Sequence, residues 1–255
     1  MPADRPLVAV ALALVLFVGL MGRARPRASF FAAFTAMLTL VGLLGARWVI
    51  GGRPPVFGTF ETSVAETFAL LALALFVDRR LLPTGVLRGP AWLAAITLGH
   101  TFFLDNGITP LTISEISLWI DLHAPLAWLA WAFYLMAAAM AFVDEQRRQA
   151  LATRLLGLAF FFHSAMAFVG IYYATLLFAK PWAWDPVQIL ALLGWTLAGV
   201  ALHLHLFFRV SLYRLRYFIA FIALVYVLSG KLMMYLPFGQ SFHVFELGVF
   251  VGGPK

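Results

Sequence analysis

Residues Lys180–Leu190, KPWAWDPVQIL, separate two apolar runs at 151–179 and 187–208. Both runs are long enough to cross a bilayer, because about 20 helical residues span its hydrocarbon core. Asp185 followed by Pro186 is typical of a helix start, with Asp185 as the N-cap and Pro186 at the first helical position. The stretch therefore predicts a tight connection between two membrane helices.

The rest of the chain repeats this pattern of long apolar runs separated by short polar connections. Of its 255 residues, 63% are hydrophobic and 11% are charged, whereas about half of a soluble domain is apolar. No ten-residue block alternates with period two, as the strands of a membrane barrel would. The sequence predicts an all-α polytopic membrane protein forming one domain over residues 1–255. The eight predicted spans are 7–22, 28–50, 63–78, 90–104, 118–143, 151–179, 187–208 and 215–236.

The arginines predict the orientation of these spans. Twelve arginines lie in four loops, at 23–27, 79–89, 144–154 and 209–216. Positively charged loops stay on the cytoplasmic side, so both termini are expected on the outer side, which would be the periplasmic side in a bacterial inner (plasma) membrane. The outer segments are then 51–61, 105–121, 180–186 and 238–248. Insertion in the lipid membrane explains the net charge of +7, so no nucleic-acid partner is expected.

The absence of cysteine limits the chemistry of this chain. With none in the sequence, disulfides, thiol redox chemistry, thiolate metal ligation and a c-type haem attachment motif in this chain are excluded.

Trp182 and Trp184 have two interpretations. Tryptophan is enriched at membrane interfaces, so the pair could belong to an aromatic belt. Held on a turn beside a capping aspartate, the two indoles could instead form a flat apolar surface for stacking on a large planar ligand.

Histidine is costly inside a membrane and often functional there. His123, in WIDLHAPLAW, and His243, in QSFHVFE, fall on the predicted outer side at a depth similar to the tryptophans. Two outward imidazoles beside indoles suggest axial ligation of haem iron; the alternative for each is a polar residue at the interface.

Two further histidines, His163 and His203, lie within predicted spans six and seven. They could form a second, intramembrane bis-histidine haem site, or His163 could belong to a hydrogen-bonded packing pair. His203 and His205 point about 200° apart on a helix, so at most one of them faces a given partner. Glu66 could pair with Arg47 or Arg53, or face a water molecule of a haem site. His100 and His205 receive no role.

Several of these segments, in this order, resemble the cytochrome c assembly proteins of the CcsA/ResC type, related to CcmC. WAWDP followed by ALHLH resembles the family's tryptophan-rich haem-handling segment. GRPPVFGTFETSVAETF resembles its outer segment, and SLWIDLHAPLAWLAWAFYLM and GQSFHVF resemble the segments that carry its outer histidines. The similarity extends over roughly residues 45–250.

The resemblance implies a protein that presents non-covalent haem b on the outer face for attachment to the CxxCH cysteines of an apocytochrome c. His123 and His243 would ligate the iron, Trp182, Trp184 and Asp185 would cradle the ring, and His203 would match an intramembrane histidine. The chain would be a component of a cytochrome c haem lyase or synthase, working with a CcsB/ResB-like membrane subunit and a separate thiol reductant.

An alternative uses the same histidines for a different function. A family fold can be reused, so the chain could be a b-type haem subunit that transfers electrons between quinol and a partner cytochrome complex. Pairs of histidines inside and outside the membrane would then form a two-haem path. A small-solute transporter has little support, because the sequence shows no inverted repeat.

Overall fold

The computed structural model describes residues 4–81, 86–108, 116–143, 145–182 and 184–231. Within them the chain forms eight α-helices. These are α1 (Asp4–Met21), α2 (Pro26–Gly51), α3 (Thr59–Phe76), α4 (Arg88–His100), α5 (Leu118–Ala141), α6 (Gln146–Phe178), α7 (Pro186–Leu206) and α8 (Arg216–Lys231).

Each of the eight predicted spans corresponds to one of these helices, and the described residues contain no β-strand. The prediction of an all-α polytopic membrane protein is confirmed. By length and composition, six of the described helices can cross a membrane, namely α1, α2, α3, α5, α6 and α7. The helix α4, of 13 residues, continues into a short 3₁₀ turn. The number of membrane crossings, the side on which the termini lie and the single domain stay predictions.

Local sequence explains where several helices begin and end. Pro26 occupies the first turn of α2, and Gly52 ends that helix in the left-handed conformation with φ of 62°, which glycine adopts without steric cost. The side chain of Ser117 caps α5 by accepting a hydrogen bond from the Trp119 N–H at 3.3 Å. A capping side chain satisfies an amide that the first helical turn leaves without a partner.

The core of the bundle lies around α3 and α5. In the 18-residue window that defines the membrane span in α3, 72% of the residues are buried, against 17% for α7. The helices α5 and α6 pack along each other, and α5 also contacts α3 and α8. Small residues line this packing, since α5 buries Ala130, Ala137 and Ala141 and α6 buries Ala152 and Ala159. Small side chains let membrane helices approach closely. The helix α7 lies at the periphery, because few of its residues are buried.

A buried ion cluster joins four segments at the predicted outer end, called the outer end below. Arg47, near the end of α2, bonds to Asp4 at the start of α1 and donates to Glu61 Oε1 in α3 at 2.9 Å. It also donates to the carbonyl oxygens of Asn106 and Gly107 at 3.0 and 3.2 Å. Because a buried charge is tolerated only when it is paired and hydrogen-bonded, these contacts fix the outer end of the α1–α4 half.

The opposite end is joined by hydrogen bonds between loops. Gln149 Nε2 donates to the Ala141 and Val143 carbonyls, and its Oε1 accepts the Tyr213 N–H at 2.8 Å. Arg88 Nε donates to the Gly19 carbonyl at 3.1 Å, which joins the start of α4 to the end of α1. These bonds join the arginine-bearing loops in two pairs, 144–154 with 209–216 and the end of α1 with the start of α4.

Candidate functional site

His123 lies in the second turn of α5 at the outer end, with its ring against α6. Its Nδ1 is 3.0 Å from the carbonyl oxygen of Met166. A carbonyl only accepts hydrogen bonds, so Nδ1 carries the proton and Nε2 carries the lone pair. A haem-ligating histidine needs this tautomer, in which the second nitrogen donates to a backbone carbonyl. The residue therefore fits the expected role of an iron ligand.

The tryptophan turn, described for residues 179–182 and 184–185, lies between α6 and α7 and is conformationally strained at two positions. Ala179 and Trp184 have φ of 53° and 56°, a left-handed conformation that costs a residue with a Cβ roughly 1–2 kcal/mol. The side chain of Trp184 is 68% exposed. Strain of this kind is concentrated at binding sites, where the surrounding structure maintains it.

The two indoles do not form one flat surface. Their ring centroids are 5.9 Å apart and their planes meet at 76°, so Trp182 is set edge-to-face against Trp184. Trp184 is the indole exposed for stacking, while the Trp182 Nε1 is buried without a hydrogen-bond partner among the described residues. The expectation of a shared platform is corrected to one exposed indole supported by a second.

Asp185 fixes the end of this turn. Its carboxylate accepts the Gln188 N–H at 3.0 Å, and Pro186 occupies the first helical position of α7. The predicted N-cap is confirmed. Asp185 is itself buried, so the cap also anchors the turn to the bundle.

His163 lies inside the bundle within an aromatic network. Its Nδ1 shares a hydrogen bond of 3.1 Å with the Tyr134 hydroxyl, and its ring packs edge-on against Tyr226 at 4.8 Å. The Tyr226 hydroxyl contacts Met166 Sδ at 3.3 Å. Because Met166 also accepts the hydrogen bond of His123, this network reaches from the middle of α6 to the outer histidine.

His203 faces away from this network, so the structure does not bring it together with His163. In α7 the residue level with His163 is Gly194, where an added Cβ would lie 4.0 Å from the His163 ring. His203 comes nine residues later, about 13 Å along the helix axis. Its exposed ring stacks on Phe207 at 4.6 Å. The packing-pair interpretation of His163 is the one that this geometry favours, with Tyr134 as the partner.

His203 instead borders an apolar groove between α6 and α7. The groove has a volume of about 320 Å³, and aromatic side chains form one wall, where Phe160 and Trp195 stack at 5.2 Å. Gly199 also lines the groove beside Phe160, and a Cβ there would make an ordinary van der Waals contact with that ring at 3.5 Å. An imidazole at the edge of such a groove fits the position expected of an intramembrane haem contact.

The remaining polar side chains receive structural assignments. His205 shares a hydrogen bond of 2.9 Å with Thr153 in α6, and its Nδ1 donates to the Val210 carbonyl at 2.8 Å. Glu66 pairs with Lys231 at 2.7 Å. The suggestion that Glu66 pairs with Arg47 or Arg53 is wrong, because Glu61 takes both arginines.

The two remaining histidines are His100 and His243. His100 is the last residue of α4. His243 lies outside the described residues, so its role as the second outer ligand stays a prediction.

Sequence patterns did not indicate Tyr134, Tyr226 or Lys231. Each lies in an apolar run where its spacing resembles ordinary core, and its partner is on another helix. The charge of Lys231 within a predicted span was the one feature of the sequence that indicated a buried polar contact.

Fold and composition define a multi-pass helical membrane protein. The family model described as Cytochrome C assembly protein matches residues 6–237, and the chain belongs to this family. This membership associates the chain with cytochrome c biogenesis.

A solved structure supports the fold independently. The chain is similar to "Cytochrome c Heme Lyase CcmF", with a TM-score of 0.65 and 17% sequence identity over 89% of this chain and 44% of that one. At this identity the similarity concerns the fold alone, and the chain spans less than half the length of that protein. A comparison with curated protein sequences gives no match.

Proposed function

We propose that this protein holds haem b non-covalently at the outer end of the bundle and presents it for covalent attachment to apocytochrome c. The observation that carries the proposal is the His123 hydrogen bond to the Met166 carbonyl. It orients the ring and leaves the lone pair on Nε2, as ligation of haem iron requires. His243 is proposed as the opposite ligand.

The tryptophan turn supports the same function. An exposed indole on a strained, capped turn is suited to apolar contact with a porphyrin, because aromatic surfaces stack with offset or edge-on geometry. The turn follows directly on α6, whose residue Gly170 lies so close to the His123 ring that a Cβ there would be 2.8 Å from the ring Cε1. From Gly170 to the end of α6 at Phe178 is eight residues, about 12 Å at 1.5 Å per residue. The proposed ligand, carried by α5, therefore packs against the helix that leads into the proposed cradle.

The chemistry assigns a limited role to the chain itself. Haem supplies two vinyl groups, and each takes the hydrogen and the sulfur of one cysteine thiol across its C=C bond, with no gain or loss of electrons. The thiols belong to the apocytochrome, since this chain has no cysteine. The protein would bind haem, orient its edge and release the product. A separate thiol reductant and a CcsB/ResB-like subunit in the bacterial inner membrane are proposed partners.

The groove beside His203 is proposed as an intramembrane contact for haem on its way to the outer site. A polar imidazole at a lipid-facing position is costly unless a partner occupies it. Since α7 is the least buried of the six long apolar helices, a second subunit could cover this groove. His163 is left out of iron ligation because Tyr134 engages it.

The test is the haem content of the detergent-purified protein and of three variants. Pyridine haemochrome quantitation should give substoichiometric haem b that exogenous imidazole perturbs, because an assembly site must release its haem. We expect His123→Ala and His243→Ala to lose most of the outer-site haem, and His100→Ala to keep it.

Two results would contradict the proposal. Equal haem content in all three variants would contradict the assignment of His123 and His243 as ligands. One or two full equivalents of haem that imidazole does not affect would favour the alternative, a fixed b-type haem that transfers electrons between quinol and a partner complex.

A further inference from the structure

We infer that Gly170 is a positioning residue for haem ligation, because its lack of a side chain lets the His123 ring reach the α6 backbone. This inference rests on the proposed function. A Cβ at position 170 would lie 2.8 Å from His123 Cε1 and 2.9 Å from its Nδ1. Contacts this short are not tolerated between non-bonded carbon and nitrogen atoms, so position 170 accepts only glycine while the ring stays where it is.

Helix geometry explains why the glycine stands at this position. In an α-helix the carbonyl of residue i accepts the N–H of residue i+4, so the Met166 carbonyl points at Gly170. A carbonyl oxygen has a second lone pair, and the His123 Nδ1 uses it at 3.0 Å. The imidazole must cross the space above residue 170 to reach that oxygen. A side chain there would shield the carbonyl from the ring.

Neighbouring contacts keep α5 and α6 from moving apart to relieve such a clash. One helical turn from His123 towards the outer end, Trp119 of α5 packs edge-on against Tyr172 of α6, with their ring centroids 4.5 Å apart. Towards the inside, the Tyr226 hydroxyl touches both Met166 Sδ and the Ala127 carbonyl of α5, each at 3.3 Å. The least constrained response to a methyl group at 170 is therefore rotation of the His123 ring, which breaks the hydrogen bond to Met166.

Loss of that hydrogen bond would affect ligation in two ways. The proton would no longer be held on Nδ1, and the plane of the ring would no longer be fixed. Removing the group that orients a metal-bound histidine typically lowers metal affinity by about 10-fold to 100-fold. We therefore expect weaker haem binding without the loss of any ligand atom.

The experiment compares Gly170→Ala with Gly157→Ala by haem titration of the purified full chain. Gly157 lies on the same helix, and a Cβ there meets nothing within 4 Å, so this variant controls for the effect of alanine in α6. We expect Gly170→Ala to bind haem about tenfold more weakly and its remaining ferric haem to show a high-spin fraction in the visible spectrum. Gly157→Ala should match the parent protein in both readouts.

A double variant separates the inference from the proposed function. If Gly170 acts through the His123 ring, Gly170→Ala in a His123→Ala background should fold normally and bind no less haem than His123→Ala alone. Equal binding by Gly170→Ala and Gly157→Ala, with His123→Ala impaired, would overturn the inference and leave the proposed function intact. Full binding by His123→Ala would refute the ligand assignment itself. If Gly170→Ala fails to fold and removing the His123 ring does not restore folding, the inference is also overturned.

Discussion

At the scale of single residues, two histidines of α7 have different surroundings because their side chains leave the helix in different directions. His205 faces α6 and is held by Thr153 and the Val210 carbonyl. His203, two residues earlier, is exposed and contacts Phe207 and Phe208. Because the two side chains point about 200° apart, one stabilises the bundle while the other borders a groove.

This difference predicts that the two alanine substitutions change the free energy of unfolding by different amounts. His205→Ala removes two hydrogen bonds and should lower the free energy of unfolding by about 1–3 kcal/mol, at roughly 1 kcal/mol for each. His203→Ala should change it by no more than about 0.5 kcal/mol, as for a residue without buried contacts. Denaturation in detergent followed by tryptophan fluorescence measures both. Equal destabilisation would show that the assignments of the two histidines are incorrect.

At the scale of elements, the connection between α6 and α7 is a strained turn maintained by its ends. The helix α6 stops at Ala179, whose N–H still bonds to the Thr175 carbonyl, and α7 starts at the Asp185 cap. These two ends hold Trp184 in a left-handed conformation with its indole exposed. The cap therefore contributes to the shape of the proposed haem cradle as well as to the stability of α7.

Substitution at Asp185 separates its charge from its capping ability. Asp185→Ala should lower the free energy of unfolding by about 0.5–2 kcal/mol, the usual effect of losing an N-cap, and should reduce haem occupancy because the turn is released. Asp185→Asn keeps a capping side chain and should stay close to the parent in both properties. Thermal unfolding and haemochrome quantitation check the pair. A stable, haem-replete Asp185→Ala protein would contradict the role given to the cap.

At the scale of the whole molecule, charge is divided between the two ends of the bundle. At the outer end, Arg47 forms buried ion pairs with Asp4 and Glu61, and Glu66 of α3 pairs with Lys231 of α8. The loops predicted to face the cytoplasm carry arginines, of which Arg88 donates to a backbone carbonyl and Arg148 pairs with Glu145 at 3.1 Å. An excess of arginine in the loops of one side is the distribution that orients a protein in a membrane.

The cysteine-free sequence allows this orientation to be tested directly. Ala24→Cys lies in the loop between α1 and α2, and Ile116→Cys lies before α5 at a position that is 70% exposed. In right-side-out membrane vesicles, a membrane-impermeant maleimide should label only Ile116→Cys. Ala24→Cys should react after the membrane is opened. The reverse pattern would place the tryptophan turn in the cytoplasm and contradict presentation of haem on the outer face.

The sequence by itself determined the helices, because bilayer-length apolar runs leave hydrogen-bonded helix as the one structure open to a chain without barrel strands. It also determined the Asp185–Pro186 helix start, a local signal that acts within one turn. Tertiary structure alone decided what depends on contact between distant segments. Examples are the hydrogen bond of His123 to Met166, the choice of Tyr134 over His203 for His163, and the pairing of Glu66 with Lys231. The physical reason is that side-chain direction and depth on packed helices follow from the helix partners, which one-dimensional spacing does not encode.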